Sequence, residues 1–109
     1  MNASELGRSV ESFLQDTVMQ LRSKPFAALQ AIPEYPESTK IDLAVPADLL
    51  NHKCVFSLMK DTLADGAVRV AIQYHRPGII IGEMMAQGFI VAADGTFREL
   101  SQQDHWDLT

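Results

Sequence analysis

Glu83 is the residue placed most like a catalytic group. It interrupts Ile79-Ile80-Ile81 and Met84-Met85 in a run that otherwise reads as buried. A carboxylate in apolar surroundings has its pKa raised and can then serve as a general acid or base. His75, Arg76 and Arg69 lie on the preceding strand candidate, so a cross-strand ion pair at the rim of a sheet is the competing reading. Tyr74-His75-Arg76 does not form one constellation, because strand alternation sends Tyr74 and His75 to opposite faces. Glu83 and His75 are therefore the candidate catalytic residues, without a third group to complete a mechanism.

Other chemistries find less. His52, His75 and His105 have none of the short spacings that bring two metal ligands together. His52 and Cys54 share one face of a strand, but no third and fourth ligand follow, so no metal and no cofactor is expected. Ser57 or Cys54 with His75 and Asp61 could in principle make a nucleophile site. However, the chain carries no G-x-S-x-G, and no phosphate-binding glycine motif of either common kind. Cys54 is the sole cysteine, which excludes an intrachain disulfide; in its apolar run it reads as a small core residue.

Met59, Ile81, Met84, Met85 and Phe89 are the candidate ligand or interface residues. Methionine-rich apolar surfaces adapt to varied partners, although at strand spacing such residues also build cores. Strand candidate 79–92 is apolar in both registers, Ile79, Ile81, Met85, Phe89 and Val91 on one side and Ile80, Met84, Ala86 and Ile90 on the other. Burying an Ile or Phe is worth roughly 1.5–3 kcal/mol, so something is expected to lie on each face.

These residues need elements to hold them. Leu6, Val10, Phe13, Leu14, Thr17, Val18 and Leu21 recur at spacings of three and four and predict an amphipathic helix over residues 4–23. Asn2 with Glu5, or alternatively Ser4, supplies its cap, and Pro25 ends it. Phe26 to Ile32 reads as a short second helix with Ser23 as cap, followed by a connection reaching residue 40 that its prolines keep extended. From there the period changes to two. Ile41, Leu43 and Val45 predict a short strand, residues 46–51 one helical turn, and residues 54–63, 67–76, 79–92 and 96–100 further strands. Asp65-Gly66, Pro77-Gly78 and Asp94-Gly95 mark the turns, and Gly82 and Gly88 the expected bulges. Residues 101–109 form a tail in which Ser101 and Asp104 stand in capping-box register before His105 and Trp106. The expectation is a single α+β domain: an N-terminal amphipathic helix on a four- to five-stranded antiparallel meander over residues 41–100.

One helix, about 10–12 Å wide, covers two strands of a sheet spanning roughly 20 Å. Its far face then needs other cover, or can stay wet where Arg69, Gln73 and His75 point away from the core.

Fourteen acids against nine scattered bases give a net charge of −5 over 109 residues. Nucleic-acid binding requires clustered Lys and Arg, so it is not expected. The longest stretch free of charge, Met84 to Ala93, is about half the twenty apolar residues that a membrane helix needs. With an acid at Glu5 where a secretory signal is basic and then apolar, the sequon Asn2-Ala3-Ser4 carries no weight, and the expected location is cytoplasmic. No motif assigns an activity or a family. The reading that follows is a small acidic non-enzymatic module, homodimeric through its apolar strand and binding a protein partner. The alternative is an apolar-ligand or catalytic pocket between helix and curled sheet, with Glu83 as its polar group among Met84, Met85, Phe56 and Tyr74.

Overall fold

The structure, a computed structural model, describes residues 2–78 and 83–100, the side chains of Glu83 and Met84 excepted. The expectations for Ile79 to Gly82, Ile81 among them, and for the tail 101–109 with His105 and Trp106 lie outside the described residues.

Helix α1 (Ala3–Arg22) begins at Asn2, whose side chain accepts a hydrogen bond from the Glu5 amide at 2.9 Å and donates to the Glu5 carboxylate at 3.0 Å. This reciprocal cap satisfies a backbone donor that the first turn would otherwise leave orphaned. Leu6, Val10, Leu14, Thr17 and Leu21 form its buried stripe, with Phe13 and Val18 packed at the margin. Helix α2 (Phe26–Gln30) follows directly. Ser23 does not cap it: its hydroxyl donates back to the Gln20 carbonyl at 2.6 Å, and Pro25 stands at the cap position, having no N–H to satisfy. The connection is not extended throughout, because Glu37–Lys40 winds into a turn of 3-10 helix.

The strand expected at Ile41, Leu43 and Val45 does not form. The Asp42 side chain accepts from the Ala44 amide at 2.8 Å, and Ala44 sits at φ 56°. Such an Asx turn bends the chain at the residue where a strand would have to continue. Helix α3 (Ala47–Asn51) then takes the place of the predicted helical turn.

Four strands follow, β1 (Val55–Thr62), β2 (Val68–Arg76), β3 (Glu83–Val91) and β4 (Phe97–Glu99), in one antiparallel sheet ordered as in the chain. Gly66 at φ 89° and Gly95 at φ 88° take the left-handed positions of the two described hairpins. In the second, the hydroxyl and amide of Thr96 bond to Asp94 and hold its carboxyl below the usual value. The molecule is thus α+β, with α1 on an antiparallel meander.

Phe56, Leu58, Val68, Val70, Ile72, Tyr74, Phe89 and Val91 share one core cluster with Leu6, Val10, Leu14 and Leu21 of α1. The Phe13 ring lies 4.6 Å from Phe56, which lies 5.3 Å from Tyr74. Helix α1 spans β2 and β3, while α2 and the 3-10 turn extend the cover over β2 and β1.

The opposite face divides in two. At one end Val55, His75 and Ala86 are exposed; at the other Met59, Ala71, Ile90 and Arg69 are buried. That end is covered within a single chain. Arg69 does not point into water as its alternation suggested: its guanidinium grips Asp61 through two nitrogens, the Nε bond measuring 2.8 Å. Nor does Gly88 mark a bulge, for β2 and β3 keep one unbroken register from Val68↔Val91 to Arg76↔Glu83.

Candidate functional site

The candidate catalytic residues occupy the end of the sheet at which β2 finishes and β3 begins. His75 is exposed and lies between Val55 and Met84 in the sheet register. Glu83 stands opposite Arg76; its side chain is outside the described atoms. Neighbouring register positions place His75 and Glu83 on opposite faces, since successive strand residues alternate.

The nucleophile combination is not assembled. Cys54 is buried in the core with its sulfur 3.9 Å from the Tyr74 hydroxyl, whereas Asp61 is committed to Arg69. The ring of His52 bonds through Nδ1 to the Asp48 carbonyl at 2.8 Å. A carbonyl only accepts, so Nδ1 carries the proton. Among the described residues no three His, Cys, Asp or Glu side chains gather as metal ligands.

The apolar candidates separate as well. Met59 is buried on the far face, opposite Ala71. Phe89 is a core residue on the helix side, its ring 5.4 Å from Phe97. Met85, opposite Tyr74, is 46% exposed. Where a pocket between helix and sheet was expected, the Phe56 ring packs 4.6 Å from Phe13 and 5.3 Å from Tyr74.

What the register brings out instead is an edge. Strand β4 pairs only with Phe89, Ile90 and Val91. Among the described residues no strand lies beside the remaining stretch of β3, from Glu83 to Gly88. Along it runs a groove of about 410 Å³ between α1 and the sheet, lined by Val18, Met19, Arg22, Ala86 and Gln87. Met19 is 69% exposed at its rim. The guanidinium of Arg22 lies 5.0 Å over the Phe97 ring and 3.8 Å from Glu99, closing one end. An open strand edge presents backbone donors and acceptors ready to pair with another extended chain. The sequence reading missed both this edge and Met19. The signal was there in the unequal lengths of the last two strand candidates, because a short final strand cannot itself pair the whole of its longer neighbour.

Among the described residues no helix is long and apolar enough to cross a membrane. Set against protein-family models, curated proteins and solved structures, the chain matches none.

Proposed function

We propose that this protein is a non-enzymatic binding module that works through the edge of β3 that no strand among the described residues pairs, and that the first chain to pair there is a second copy of itself. The observation that carries this reading is the stretch Glu83 to Gly88, beside which no strand lies among the described residues, with Met85 exposed on it and Met19 exposed near it. From Met84 to Gly88 the sequence holds no charge. Natural edges that must stay single usually carry Lys, Pro or a bulge, and none interrupts this one. Two such edges related by a twofold axis pair with each other and complete both sheets at once, the commonest closed assembly. Glu83, at the start of the stretch, is its one charge, and the charged residues beside the groove, Arg22 and Glu99, already answer each other. Recognition by backbone pairing needs no catalytic group, which is why the reading is a binding module.

Sedimentation equilibrium at micromolar concentration tests it. The expected mass is twice 12.1 kDa, falling to the single-chain value in Met85→Lys and Ala86→Lys with circular dichroism unchanged. A wild-type monomer, or a dimer indifferent to both substitutions, overturns the proposal.

A further inference from the structure

At the end of the sheet away from that groove, Asn51, His52, Lys53, Arg76, Pro77 and Gly78 line an open dish of about 640 Å³. Its position follows from the way α3 ends. The Cys54 amide donates to the Leu49 carbonyl at 3.1 Å and the Lys53 amide to Leu50 at 3.0 Å, with Cys54 and Leu49 both buried beneath. This is the Schellman arrangement, whose left-handed residue is normally glycine. Here that residue is Lys53, at φ 62°. A side chain in this conformation is disfavoured, and the fold tolerates it without giving the ammonium group an ion pair among the described residues.

Arg22, Lys40, Lys60 and Arg69 each meet a carboxylate. At the dish, three cationic or protonatable side chains, His52, Lys53 and Arg76, line one depression. Arg76, which has an interaction of its own, forms one wall, and His52 and Lys53 another. A helix C-terminus ordinarily repels anions. In α3 this is muted, since the carbonyls of Asp48, Leu49 and Leu50 are taken up by the His52 ring and by following amides. The acid of α3, Asp48, is turned to the Leu49 amide at the start of the helix. With Nδ1 of His52 fixed as donor to the Asp48 carbonyl, Nε2 is the ring atom left for a ligand, an acceptor in the neutral ring and a donor in the imidazolium.

We propose that the dish is a binding site for a small phosphomonoester, with Lys53 as its principal cation, the imidazolium form of His52 as a second donor through Nε2 and Arg76 as the charged wall. A dianion with several acceptor oxygens is the ligand that uses a point charge, a ring nitrogen and a guanidinium together. The volume suits a small molecule. This site is independent of the β3 edge.

The test is titration of the intact protein with phenyl phosphate, inorganic phosphate and sulfate, following backbone amide resonances of residues 51–54 and 76. Saturable shifts with phenyl phosphate are expected, stronger than with sulfate. If inorganic phosphate binds as well as the ester, the phosphate alone is recognised, and the assignment to an ester is overturned. Lys53→Gly should melt at higher temperature than the wild type while binding about tenfold more weakly, the loss of one charge-assisted hydrogen bond. Lys53→Gln keeps the strained backbone and should lose binding to the same extent. Absence of saturation, equal response to sulfate, or undiminished binding in both variants overturns the site.

Discussion

Gly88 lies directly opposite Ala71 in the β2–β3 register, and a Cβ at Gly88 would fall 2.6 Å from the Ala71 Cα and nearer still to the Val70 carbonyl. The obstacle is backbone, not the tip of a flexible side chain, so no rotamer change relieves it. Gly88→Ala should therefore separate two strands in the middle of the sheet. The expected cost is about 3 kcal/mol, at the upper end of what overpacking exacts, measured by urea denaturation. A change under half of that would mean that the sheet yields where its register suggests it is rigid.

Lys60 is buried in the helix-facing half of β1, and its ammonium group bonds to the Gln30 carbonyl at 2.9 Å. Gln30 is the last residue of α2, so this bond satisfies a carbonyl that the helix leaves without a partner. Lys60 also approaches Glu34 at 3.5 Å, but Glu34 is half in solvent, where an ion pair contributes little. Lys60→Met keeps the packed stem and strands the carbonyl, and should cost about 2 kcal/mol. Glu34→Gln should move stability by less than about 0.5 kcal/mol. Equal effects in the two variants would show that the ion pair, not the carbonyl, anchors α2.

The Ser38 hydroxyl is buried and has no hydrogen-bond partner among the described residues. Burying a hydroxyl without compensation is unfavourable. Ser38→Ala removes it with almost no change in volume, so thermal unfolding should show a gain of about 1 kcal/mol. A loss would point to a partner that the hydroxyl reaches in solution.

Much of this architecture was legible in the chain. The stripe from Leu6 to Leu21 has the helix period and one buried side, and the structure buries that side. Phe56, Leu58, Val70 and Ile72 alternate because their strands have one face on α1, and Asp65-Gly66 and Asp94-Gly95 name their own turns. Arg69 escaped because alternation reports which face a residue takes, not whether that face is dry. Two positions along β1, on the same face as its partner Asp61, Met59 is also buried, so a charged residue there had to find an acid. The candidate site was less legible still. Met59, Met85 and Phe89 are all apolar, but strand parity and depth part them, and an edge without a partner strand among the described residues is a property of pairing that no single strand contains.

Ala44 shows why a three-residue alternation is weak ground for a strand. Ile41, Leu43 and Val45 have the period of one, yet Leu43 and Val45 reach the margin of the core from an irregular segment. The competing instruction is local: Asp42 captures the Ala44 amide and Ala44 adopts φ 56°. An alanine there bears roughly 1–2 kcal/mol of left-handed strain, whereas glycine bears none but orders a freer unfolded chain at about 0.4–1 kcal/mol. Ala44→Gly should therefore stabilise the protein by about 0.5 kcal/mol or somewhat more. In a strand the same substitution would weaken pairing and packing, so the sign of the change in melting temperature separates the two conformations. A decrease would restore the fifth strand, and an increase confirms that the Asx turn, not hydrophobic alternation, governs residues 42–44.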